Sequence, residues 1–93
     1  MFIHAVLFRI KPKELSKYHR DNLMWARYAR KAEGFISYRT MLRVDHESQY
    51  ASVYVWKTKT CHDRFMKKYN DWLVSKSSAK VRVVGYFNLK EKL

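Results

Sequence analysis

Four histidines, one cysteine and an asparagine set in an apolar stripe are the residues of this 93-residue chain best suited to acid–base or ligand chemistry. His4 sits in the first apolar segment, FIHAVLFRI, on a face shared with Phe2, Val6, Phe8 and Ile10. An imidazole there takes a proton from a phenol, holds an anion that reacts with dioxygen, or is a core histidine whose nitrogens are bonded. His62 falls in the apolar arc of a later helical segment, between Cys61 and Phe65 in angle. It reads as a general base or ligand donor, or as a boundary histidine bonded to backbone or water. Asn22 interrupts the apolar stripe of an earlier helical segment, and a buried amide must find partners, either a ligand carbonyl or a strand end. Trp25, Trp56 and Trp72 with Tyr18, Tyr54 and Tyr69 supply flat surface for a slot that takes an aromatic or polycyclic ligand, or for a plain core.

The remaining candidates carry less. Arg39 and Arg43 project from one side of a strand and either clamp a carboxylate or face solvent. Cys61 falls in the first turn of a helix, where the dipole favours a thiolate, but no base is positioned for it and it reads as a small packed hydrophobe. His46 lies between Asp45 and Glu47 in a turn, where consecutive residues do not converge on one ion; no pair of histidines has helical metal-ligand spacing, so no metal is expected.

The elements that must position these residues follow from periodicity. Phe2 to Ile10 alternates as a strand. After Lys11-Pro12-Lys13, Leu15, Tyr18, Asn22, Trp25, Ala29 and Ala32 recur at helical spacing over about Glu14 to Glu33, and Gly34 stands where a left-handed terminator belongs. Phe35 to Val44 alternates as a second strand, and Tyr50 to Lys57 is a third that pairs with it. Thr60 with Asp63 predicts an N-cap for a second helix ending near Ser75 to Ser78. Val81 to Leu89 is a fourth strand, with Gly85 marking a bulge or close approach. The order βαββαβ predicts an α+β, ferredoxin-like sandwich over residues 1–93 as one domain: a four-stranded antiparallel sheet with two helices on one face. Strands one, three and four are apolar on both sides, so the other face needs a cover, most simply a second copy of the chain.

Composition bounds the function. A chain of this length buries roughly 65% of its unfolded surface, enough for one modest core. With 47% hydrophobic residues, two Gly and one Pro, disordered and collagen-like classes and Gly-rich phosphate loops are excluded. One Cys excludes an intrachain disulfide, no apolar run approaches the roughly 20 residues of a membrane span, and the opening segment lacks the pattern of a signal peptide. A reduced, cytoplasmic protein without a membrane partner is expected. The net charge of +12 suits nucleic acid or another anion, yet it divides evenly between the two halves of the chain, with no basic tail.

The element order, the helix leading through Glu33-Gly34-Phe35 into a strand, and the third strand ending Tyr54-Val55-Trp56-Lys57-Thr58 resemble the antibiotic-biosynthesis-monooxygenase-like family of dimeric α+β barrels. The resemblance covers nearly all of the chain. That family includes small cofactor-free quinone-forming monooxygenases and haem-degrading monooxygenases, and it implies a homodimer with a ligand pocket between each protomer's sheet and helices. Trp56 stands where the haem-degrading members have a pocket tryptophan, and His4-Ala5 where they have an asparagine and a small residue. Their haem-ligating histidine has no counterpart, because no His follows His62, and a histidine common in other members is here Phe65. Taken with the residue readings above, the resemblance implies a small monooxygenase with His4 and His62 as catalytic candidates, a pocket of Asn22, Trp25, Tyr54, Trp56 and Phe65, no required cofactor, and haem only if another histidine serves as its ligand. Two other classes share the pattern. One is a basic nucleic-acid-binding module of the same element order, although Gln49-Tyr50-Ala51-Ser52-Val53 is a poor match to an RNA-recognition motif. The other is a non-catalytic dimer that binds a hydrophobic ligand.

Overall fold

A computed structural model describes residues 1–92. Its elements are β1 (Phe2–Arg9), a 3-10 turn (Pro12–Glu14), α1 (Leu15–Ala29), β2 (Phe35–Leu42), β3 (Gln49–Trp56), α2 (Lys59–Lys76) and β4 (Arg82–Lys90). The strands form one antiparallel sheet in the order β2-β3-β1-β4, the ferredoxin-like arrangement expected from the element order. Residues opposite one another share a face, so the period of two sends Phe2, His4 and Val6 of β1, with Ser52, Tyr54 and Trp56 of β3, toward the helices. Phe2, Tyr54 and Trp56 pack there with Ala29 of α1 and with Phe65 and Leu73 of α2 to form the core. Gly85 marks the predicted irregularity: Leu7 pairs with Gly85 and Phe8 with Val83, leaving Val84 as the extra residue of a bulge.

The strand ends differ from the sequence expectation by one or two residues, and two helix ends differ for identifiable reasons. The first helix stops at Ala29 rather than Glu33, because the N–H groups of Lys31 and Ala32 bond the carbonyls three residues back, at Tyr28 and Ala29, and tighten the winding. Gly34 then reverses the chain with φ +83, a conformation that glycine adopts without steric cost. The second helix is capped by Thr58, not Thr60: Thr58 has extended backbone and its Oγ1 accepts the Cys61 N–H at 3.2 Å. Asp63 is thereby freed from capping, and its carboxylate meets Lys59 and His62 instead.

Among the described residues, no helix lies over the second sheet face. Ile3, Ala5 and Leu7 lie there beside Val53 and Val55 of β3 and Phe87 and Leu89 of β4. Phe87 is 47% and Leu89 53% exposed, so the chain presents a contiguous apolar surface across three strands.

Gly34 joins the two layers, since its carbonyl accepts the Lys57 N–H at 2.7 Å and a side chain there would collide with Cys61 Sγ and lie 2.7 Å from Cys61 Cβ. Gly34→Ala is expected to destabilise the fold by about 2–4 kcal/mol, combining left-handed backbone strain with overpacking. Adding Cys61→Ala restores only part of the loss, because Cβ61 remains. Urea unfolding measures both, and an unchanged midpoint for Gly34→Ala contradicts the assignment.

Candidate functional site

A cavity of about 380 Å³ opens between the sheet and the two helices. Helical spacing sends Tyr18, Asn22 and Trp25 of α1, and His62, Phe65 and Met66 of α2, toward the strand residues His4, Tyr54 and Trp56. The seven side chains singled out as catalytic or pocket residues, His4, Asn22, Trp25, Tyr54, Trp56, His62 and Phe65, all line this one space. Trp72 and Tyr69 do not line it; both pack against Tyr28, and Tyr69 also packs against Phe65 of the core. Arg39 is exposed, and Arg43 is held in the β2–β3 turn by Asp45 at 2.8 Å and Gln49 at 3.0 Å.

The imidazoles define the chemistry. His62 is buried, its ring 4.6 Å from that of His4, 5.1 Å from Phe2 and 6.1 Å from Trp56, centroid to centroid. Its Nδ1 lies 3.0 Å from Asp63 Oδ1, and a carboxylate only accepts, so the proton of neutral His62 sits on Nδ1 and Nε2 keeps its lone pair. Nε2 is buried and has no hydrogen-bond partner among the described residues, and the same holds for Trp56 Nε1, a donor. His4 is half-buried, and its Nδ1 is 2.8 Å from Asn88 Oδ1, which fixes that ring through one bond to β4. Burial lowers the pKa of His62; the Asp63 hydrogen bond opposes this, and the neighbouring His4 adds to it.

The rest of the cavity wall is tied off: among the described residues it has no Lys or Arg, and its one carboxylate, Asp21, is bonded to the connector after α2. Ser52 Oγ donates to Asn22 Oδ1 at 3.3 Å; its single proton is thereby used, so Tyr18 must donate across the 2.7 Å contact to Ser52. Asn22 in turn donates to Thr40 at 3.4 Å, and Tyr38 lies 2.6 Å from Thr40. Of the two readings of Asn22, the structure supplies strand partners. Burial raises the pKa of Tyr18, pushes Tyr38 up to about 12 and holds Tyr54 well above the ordinary phenol range, so these hydroxyls stay neutral. The far wall is the connector between α2 and β4. Trp25 Nε1 donates to Ser77 Oγ at 2.9 Å, the Asp21 carboxylate accepts the N–H groups of Ser78 and Ala79, and Glu14 accepts that of Lys80 at 2.7 Å.

Asp63, Asn88 and Ser52, which orient these groups, were not among the sequence candidates. Asp63 stands directly after His62, and that adjacency is its signal, masked by the expectation that it caps the helix. Asn88 is legible only once β4 is registered on β1, opposite His4.

Because the folded pKa of His62 lies below its unfolded value of 6.5, the unfolded chain binds more protons at mildly acid pH. Stability is therefore full above that pH and falls as pH drops through the unfolded value toward the folded one. The carboxylates of Glu14 and Asp63, held below 4.5 and 3.8, act at lower pH. The melting temperature is expected to fall between pH 7.5 and 5.5, and His62→Gln to flatten that slope; an equally steep slope in the variant contradicts the assignment.

No protein-family model matches the chain and no curated protein matches it in sequence. Solved structures do match in fold. The crystal structure of an antibiotic biosynthesis monooxygenase superposes with a TM-score of 0.72 at 13% identity, covering 100% of this chain and 99% of that one. MupZ from Pseudomonas fluorescens gives a TM-score of 0.77 at 11% identity, over 94% of this chain and 69% of its own. A conserved protein from Methanosarcina mazei Go1 gives 0.72 at 14% identity, over 98% and 92%. The chain therefore has the fold of the antibiotic biosynthesis monooxygenase structures along essentially its whole length.

Proposed function

We propose that the protein is a small monooxygenase that oxidises an electron-rich aromatic substrate, a phenol, in the cavity between its sheet and helices. The observation that carries this reading is the pair of orphaned nitrogens at the cavity wall, Trp56 Nε1–H and the His62 Nε2 lone pair. A buried polar atom left unpaired costs about 1–3 kcal/mol, so two of them on neighbouring rings call for a complementary group. A phenolic hydroxyl is one: it donates to His62 Nε2 and accepts from Trp56 Nε1. As His62 takes the proton, the Trp56 N–H stabilises the phenolate, and Asp63 stabilises the imidazolium through Nδ1. Both rings line the cavity, and the half-buried His4 ring beside His62 is held by a single bond to Asn88.

The phenolate then supplies all the electrons the oxidation needs. A phenol with a free ring position, plus one dioxygen, gives a quinone plus one water: a ring C–H becomes C=O, the second oxygen leaves as water, and the ring loses four electrons. We read the site as cofactor-free on that account. The residues also do not fit a haem, since an axial His62 would require Phe2, His4 and Trp56 to make way together for a flat macrocycle, and 380 Å³ is near the lower end of ligand cavities. The non-catalytic binder remains the rival, distinguished by turnover. The uncovered apolar sheet face supports a second reading of assembly, a homodimer in which a copy of the chain covers that face.

Oxygen uptake with hydroquinone-type and naphthol substrates tests the activity: uptake one-to-one with product is expected, and His62→Gln should lower kcat by about 10²–10⁴-fold. Binding without uptake would leave a ligand-binding protein, and uptake insensitive to His62→Gln would remove its role. Light scattering at micromolar concentration should report a species of twice the chain mass; a clean monomer contradicts the dimer.

A further inference from the structure

Beside the cavity, on the other side of the connector 79–81, lies an open groove of about 770 Å³ between the end of β1, the 3-10 turn and the start of β4. Arg9, Lys11, Lys13, Lys80 and Arg82 line it, five cations among eight lining residues in a chain where 20 of 93 residues are Lys or Arg. All five are exposed, and none has an ion-pair partner among the described residues. The groove's one carboxylate, Glu14, is already used by the Lys80 N–H and faces Lys17 at 3.8 Å. Antiparallel pairing sets Arg9 directly opposite Arg82, a like-charge cross-strand pair that is unfavourable unless something anionic lies near.

The two spaces divide the chemistry. The cavity is aromatic and lacks Lys and Arg; the groove is cationic; Ala79 and Val81 line both, so a single stretch of chain separates them. We infer that the ligand is bipartite, an aromatic body in the cavity carrying, on a short tether that crosses the 79–81 rim, a carboxylate or phosphate held by Arg9, Lys11, Lys80 and Arg82. This inference rests on the reading of the cavity as an aromatic site and adds the anionic class of the substrate. A free polyanion such as RNA would occupy the groove alone and gain nothing from the cavity, whereas the shared wall favours one ligand spanning both.

Two probes separate the parts: 2-naphthol, and 2-naphthol bearing a 5-carboxypentyl chain at ring position 6, each titrated by quenching of tryptophan fluorescence. The carboxylate probe is expected to bind about tenfold more tightly at low salt, the advantage shrinking as ionic strength rises. Lys11→Gln/Lys80→Gln/Arg82→Gln, all exposed side chains, should abolish that advantage and leave 2-naphthol binding unchanged. Equal affinity for the two probes overturns the inference while leaving the cavity reading intact; no binding of either overturns both. An advantage that survives in the triple variant overturns the assignment to this groove. Tight binding of a single-stranded RNA oligonucleotide, lost in the triple variant and uncoupled from naphthol binding, also overturns it and assigns the groove to a polyanion.

Discussion

The site depends on keeping an imidazole out of water. His62 is enclosed by Phe2, His4 and Trp56, and burial disfavours its charged form. A buried histidine with both nitrogens satisfied would be part of the core and nothing more. Here one nitrogen is fixed by Asp63 and the other is left with a lone pair, so the burial that favours the neutral form also maintains a base. Its neighbours are arranged around that constraint: the hydroxyls and amide of Tyr18, Ser52, Asn22 and Thr40 bond one another in a chain and do not compete for Nε2.

The fold supplies this arrangement through two periodicities meeting across one space. Alternation along β1 and β3 brings His4, Tyr54 and Trp56 to the helix side, and the i, i+3, i+4 spacing on α2 brings His62, Phe65 and Met66 down upon them. The connector after α2 completes the enclosure only because α1 and the 3-10 turn before it reach across, the carboxylates of Asp21 and Glu14 accepting its backbone N–H groups. Backbone groups of a loop against a cavity must be paired, and these two acids do it.

Much of this was legible in the sequence. The strand and helix periods gave the element order, Gly34 marked the left-handed turn, Gly85 marked the bulge, and His4, Asn22, Trp25, Tyr54, Trp56, His62 and Phe65 share one cavity, whereas the aromatics Tyr69 and Trp72 offered with them lie outside it. What was not legible depended on register or on a choice between near-equivalent signals. Thr60 stands in the expected place for a cap, and the extended backbone two residues earlier gives that role to Thr58 instead. Asn88 faces His4 because of a pairing 84 residues apart in sequence, and no local pattern announces that. The charge shows the same limit: it divides evenly along the chain, yet the β1–β4 pairing gathers Arg9, Lys11 and Lys13 with Lys80 and Arg82 at one end of the sheet.

The chemistry of the site rests on His62 being a neutral base with its proton on Nδ1 and a free Nε2. Nitrogen-15 spectra of the histidine side chains read the protonation of each ring nitrogen. At pH 6.5 His62 is expected to be predominantly neutral, with Nδ1 protonated and Nε2 unprotonated, and Nε2 is expected to shift when 2-naphthol is added. A proton on Nε2, or a predominantly doubly protonated ring at that pH, contradicts it.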